Sequence, residues 1–225
     1  MKIDIITIFP EIFDFYLGQS LISKAQQKGV LKIKTHQLRD FTNDKHNTVD
    51  DKPFGGGRGM ILKVEPIAVA LSKLKVQSAK LKVKPRVVLF SPRGKKFNQK
   101  MATNWAKQNQ LIFICGRYEA IDERVAKNLA TDVVSIGDYV LMGGELPALV
   151  AIEAVARLLP GAVGNSESLI GERITKTGGF IEYPQYTRPE VVEIKGEKAR
   201  VPKVLLSGNH KEIDEWRAKH SKVIE

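Results

Sequence analysis

Apolar runs punctuated by glycine, proline and polar loops divide this chain into short alternating elements. Lys2–Phe9 is apolar at Ile3, Ile5, Ile6, Ile8 and Phe9 and predicts a strand ended by Pro10. Glu11–Leu17 and Ser20–Lys28 predict short helices broken by Gly18 and Gly29. Leu31–Leu38 sets Leu31, Ile33, Thr35 and Gln37 against Lys32, Lys34 and His36, a strand with one wet face. Asp40–Gly59 is polar and aperiodic with four glycines, a length of loop usually functional or disordered.

Further on, Pro66–Leu74 predicts a helix, and Arg86–Phe90 a buried strand with a turn at Ser91–Gly94. Asn98–Lys107 reads as a helix, Leu111–Cys115 as a buried strand, Ile121–Leu129 as a helix and Asp132–Ser135 as a strand. This alternation predicts an α/β fold with a mainly parallel sheet flanked by helices. Ligands of such sheets sit at the carboxyl ends of the strands, which here are the loops after Phe90, Cys115 and Ile136.

Ser135–Pro160 joins a β-like run containing Val140 and Leu141, a Gly143-Gly144 turn and an apolar helix. Pro147 suits a first helical turn, and Pro160-Gly161 ends the helix. By itself the unit reads first as core with a glycine turn, and only second as the wall of a site. Beyond it the segment 161–182 is polar and glycine-rich, which predicts a flexible linker between a domain at 1–160 and a small, mainly helical one at 183–225. Asn209 followed by Glu212 forms a capping-box pattern for a helix from about His210 to Lys219.

Composition adds a partner class. The formal net charge is +11, and Pro66–Tyr118 holds twelve basic residues and no acidic one. Such a one-signed stretch favours a polyanion, whose counterions are released on binding. No apolar run approaches the ~18 to 20 residues of a membrane span. The strand-like start has no signal-peptide organisation, and the single cysteine, Cys115, sits in an apolar context. A cytoplasmic protein is expected, with no membrane partner. The chain has no dinucleotide or P-loop phosphate cradle, no zinc spacing among its four histidines and no nucleophile elbow.

Four blocks then carry a resemblance: TVDDKPFGGGRGM (48–60), FSPRGKKFNQ (90–99), CGRYEAIDERV (115–125) and SIGDYVLMGGELPAL (135–149), extended by PQYTRPEV (184–191) and LLSGNH (205–210). In this order they resemble the bacterial tRNA (guanine-N1) methyltransferases of the TrmD family, within the SPOUT class. The resemblance implies that the carboxyl half of the first domain is threaded into a trefoil knot, although knots are rare exceptions among folds. It implies S-adenosyl-L-methionine as methyl donor, guanosine 37 of tRNA, 3′ of the anticodon, as substrate, and a homodimer with its active site at the subunit interface.

Carried over by position, the donor would be held by Leu89, Phe90, Ser91 and Pro92, then by Gly116, Tyr118 and Glu119. The third loop would supply Ile136, Gly137, Asp138, Tyr139, Val140 and Leu141, with Gly143, Gly144 and Pro147. Tyr139 is open to a second reading, as core. Methylating N1 of guanine requires a base for the N1 proton and a cation for the charge that develops on O6. The resemblance offers Arg157 as that cation; its alternative is a helix C-terminal charge favoured by the macrodipole. The family's aspartate base is replaced by Glu172, with Glu167 as the fallback.

In the Asp44–Gly59 loop, His46, Asp50, Asp51 and Arg58 are the candidates for contact with the target base or anticodon stem. Asp50 is alternatively an Asx-turn residue. The family has glycine at Ala120, which would be strained if its φ were positive. Mg²⁺ is a family trait for which this chain presents no ligand cluster, so no metal ligand is assigned. Two other readings remain open: a non-catalytic tRNA-binding knotted relative, and a SPOUT methyltransferase with a different RNA target.

Overall fold

A computed structural model describes residues 1–80, 84–163, 173–174 and 180–224. The chain divides into two compact units, Met1–Ser166 and Glu167–Glu225. In the first, strands β1 (Lys2–Thr7), β2 (Lys32–Gln37), β5 (Arg86–Lys96), β6 (Gln110–Ile114) and β8 (Asp132–Ser135) form one sheet in the order β2-β1-β6-β5-β8. Every pairing in it is parallel.

Both faces are buried, as parallel sheets require. Ile3, Ile5, Val88, Phe90, Leu111 and Phe113 pack against α1 (Glu11–Leu17), α2 (Ser20–Gln27), α4 (Gln99–Ala106) and α6 (Glu145–Ala156). Ile6, Val87, Leu89, Ile112 and Ile114 meet α3 (Val64–Lys80) and α5 (Glu123–Asn128) on the other face. The two sets alternate along each strand because successive side chains point to opposite faces.

Several expectations change in detail. The turn expected at Ser91–Gly94 falls inside β5, which runs on to Lys96: Phe90 and Lys95 both face Val134 of β8, so residues 91–94 loop out of the pairing before the strand resumes. Gly94 makes this possible: any side chain there would strike the Val133 and Val134 backbone. The long polar loop is partly ordered by β3 (Asp50–Asp51), which pairs with β4 (Ile61–Leu62), itself paired with β7 (Ala120–Ile121). Val140 and Leu141 lie in a loop, not a strand, and both are exposed.

Among its described residues the second unit is less helical than expected. Alongside α7 (His210–His220) it contains β9 (Arg173–Ile174), β10 (Phe180–Glu182), β11 (Val191–Ile194), β12 (Glu197–Arg200) and β13 (Lys222–Ile224). Strands of two to four residues carry too little alternation to be read from sequence. β9 and β10 also occupy part of the expected linker, whose remaining residues up to 179, apart from 161–163, lie outside those described. Asn209 caps α7 as the sequence predicts, its side chain accepting the Glu212 main-chain N–H and donating to the Glu212 carboxylate at 2.9 Å.

Candidate functional site

Where the irregular middle of β5 meets the loops that follow β6 and β8, a cavity of about 620 Å³ opens. Leu89 to Pro92 form one wall and Gly116, Tyr118 and Glu119 a second. Ile136, Tyr139, Val140, Leu141, Gly143, Gly144 and Pro147 form the third. Of the residues carried over to these loops, only Gly137 and Asp138 are not in the lining. A side chain at Gly137 would strike the Tyr139 ring, and Asp138 forms an ion pair with Lys96. Tyr139 is 56% exposed, which removes the core reading.

The glycines permit close approach of main chains. A Cβ on Gly144 would lie 2.7 Å from Cys115 Cα, and the Gly144 N–H donates to the Gly116 carbonyl at 2.9 Å. Cys115 beneath them is buried, and desolvation raises its thiol pKa well above the ordinary value, against any nucleophilic role. Positive φ falls on Tyr118 (61°), not on Ala120.

Charged residues overlooked in the sequence also shape the cavity. Arg93 and Glu123, both in its lining, pair at 2.6 Å. Arg117, another lining residue, donates from Nε to Glu145 at 2.9 Å. Glu145 is 1% exposed. The available signal was a carboxylate at the head of a helix whose one other charged residue is Glu153; such a group demands a partner once buried.

The loop candidates lie beside the cavity, not in its lining. Asp50 and Asp51 form β3, two strands from Ala120 and Ile121 of the lining, and the Glu119 N–H donates to the Met60 carbonyl, tying the end of the Arg58 loop to the second wall. Asp44, not Asp50, is the Asx-type residue: its carboxylate accepts from the Thr48 hydroxyl and from the His46 and Thr48 N–H groups, which hold its pKa below the ordinary value. His46 and Arg58 are exposed. Arg157 is the half-buried C-cap of α6, ten residues and so about 15 Å along the helix from Pro147. Glu167 and Glu172 lie outside the described residues. Among the described residues no group of three or more His, Cys, Asp or Glu side chains is placed to hold a metal ion, and no helix is long and apolar enough to cross a membrane.

A parallel sheet flanked by helices, with a glycine-lined cavity at the carboxyl ends of adjacent strands, has the build of an α/β enzyme. A family model described as tRNA (Guanine-1)-methyltransferase TrmD matches residues 1–224. The tRNA (guanine-N(1)-)-methyltransferase of Dictyoglomus turgidum is 51% identical over 98% of this chain and 85% of its own. That of Bacillus cereus is 48% identical over 98% and 87%. The crystal structure of tRNA (m1G37) methyltransferase from Aquifex aeolicus superposes with a TM-score of 0.77 at 38% identity, covering 96% of this chain and 87% of that one. The chain belongs to the TrmD family of tRNA (guanine-N1) methyltransferases, and it is an enzyme of that class.

Proposed function

We propose that the protein transfers a methyl group from S-adenosyl-L-methionine to N1 of guanosine 37 of tRNA, beside the anticodon. The observation that carries this reading is the convergence of three segments drawn from residues 89–147, two of them contributing glycines, on one cavity. Its features suit the donor. Leu89, Ile136 and Leu141 offer apolar walls for a planar adenine, and main-chain N–H and C=O groups beside Gly116 and Gly144 can read its edge.

When bound, the donor supplies an electrophilic methyl carbon on a sulfonium sulfur. The chain must align guanine N1 with that carbon and remove the N1 proton, so that the N1–C bond forms as the S–C bond breaks. Glu172 is the proposed base and Arg157 the cation that meets the developing O6 charge. Because Arg157 stands a helix length from its own chain's cavity, this role fits a site shared between two subunits. The homodimer reading is supported by the apolar side chains that α1 and α6 leave exposed, among them Phe15, Leu146 and Val150. His46, Asp50, Asp51 and Arg58 would contact the target base or its stem. Among the described residues no three His, Cys, Asp or Glu side chains group to hold a divalent ion such as Mg²⁺. A threaded knot in the carboxyl half and a cytoplasmic location complete the proposal.

The test incubates the protein with methyl-labelled donor and a tRNA transcript bearing guanosine 3′ of the anticodon. Label at N1 of that base is expected. Binding of tRNA without label would identify a non-catalytic relative, and label on another RNA or position would identify a different target.

A further inference from the structure

Four side chains behind the cavity close into a ring. The Thr7 hydroxyl donates to Glu145 Oε1 at 2.7 Å, and Arg117 Nε donates to Glu145 Oε2 at 2.9 Å. The Arg117 guanidinium lies 4.8 Å over the centre of the Phe9 ring, and the Phe9 N–H donates back to Thr7 Oγ at 3.0 Å. Thr7 and Glu145 are buried, and neither they nor Phe9 belong to the cavity lining. Arg117 is the exception, since it belongs to the lining as well.

The ring joins parts of the chain that sequence separates widely: the end of β1, the loop after β6 and the first turn of α6. A Cβ on Gly143 would strike Arg117 Nε and lie 2.5 Å from Glu145 Oε2, so a side chain there would have to displace the pair. A carboxylate in the first helical turn is favoured by the helix dipole, and two donors satisfy it in a water-poor setting where each bond is strengthened. The second and third cavity walls are therefore held at one spacing by a buried acceptor that lies outside the cavity lining.

We propose that Glu145 is a positioning residue for methyl transfer, acting through Arg117 to pre-set the gap between the Gly116–Glu119 loop and the Gly143-Gly144 turn. This rests on the reading of the cavity as the donor site. With the clamp released, the donor must order these walls as it binds, so its affinity falls while tRNA binding, supported elsewhere, is retained.

Calorimetric titration with S-adenosylhomocysteine provides the test, on the full-length protein. Glu145→Gln is expected to raise Kd at least tenfold and to raise the donor KM more than it lowers kcat. Thr7→Val, which removes one donor to Glu145 and keeps the ion pair, should raise Kd several-fold. Glu145→Asp, which keeps the charge at shorter reach, should recover part of the loss. Arg117→Ala combined with Glu145→Gln should be no worse than the worse single change, as expected of residues acting as a unit. If Glu145→Gln fails to fold, the Thr7→Val and Glu145→Asp titrations decide. Wild-type affinity retained in the folded variants, or additive losses in the double variant, would overturn the clamp alone. A wild-type protein that binds no S-adenosylhomocysteine would overturn the cavity reading and the clamp with it.

Discussion

The main-chain N–H of Gly144 donates to the carbonyl of Gly116, and the two backbones approach so closely that neither wall of the cavity can shift without the other. A methyl group at position 144 would meet main-chain atoms of Cys115 and Gly116, which have no rotamer with which to move aside. Gly144→Ala is expected to cost about 1–3 kcal/mol of stability, the range for overpacking a well-filled site. Urea unfolding gives the number, and an unchanged midpoint would mean that the backbone contact is looser than described.

Glu172→Gln is expected to lower the single-turnover methylation rate at least about 100-fold, the lower end of what a positioned general base contributes. Binding of S-adenosylhomocysteine should survive. If the rate is unaffected, Glu167 becomes the next residue to substitute.

At the opposite end of the sheet, Asp4 is fully buried and accepts from Lys2, His36 and Gln110 at 2.7–2.9 Å. Burial alone would push its carboxyl pKa up, but the hydrogen bonds from His36, Lys2 and Gln110 outweigh it and hold the value below the ordinary one. A carboxyl with a folded-state pKa below its unfolded value contributes stability that is complete above the unfolded pKa, near 4, and is lost as pH falls through the folded pKa. Stability measured by denaturant should therefore drop steeply below about pH 4, and Asp4→Asn should flatten that drop while lowering stability at pH 7.

Charge should dominate the grip on RNA. With twelve basic and no acidic residues between Pro66 and Tyr118, tRNA affinity is expected to fall at least about tenfold between 50 and 200 mM salt. A flat salt dependence in a filter-binding titration would place the basic stretch outside the RNA interface.

Much of the fold was legible because β1 and β6 are mostly apolar and Asn209 is a recognisable helix cap. The α3 helix runs to Lys80 rather than stopping near Leu74, since no breaker follows Leu74. What escaped were features set by tertiary partners. Pro92 and Gly94 mark a turn by chemistry, but the return of the chain to β8 at Lys95 and Lys96, which extends β5 past it, depends on a neighbouring strand that local sequence does not show. The two-residue strands β3, β4 and β7 have no periodicity of their own. For the site, the three segments could be found in order along the chain. The meeting of Arg117 with Glu145 across 28 residues could not, because neither spacing nor composition encodes a long-range ion pair.

Tyr118 holds a left-handed backbone conformation, φ 61°, that an L side chain adopts at a cost of roughly 1–2 kcal/mol. Glycine at this position would relax the backbone but delete an aromatic ring from the cavity wall. The loop thus sets durability against ligand recognition, and selection for thermal resistance alone would erode the cavity at this residue first.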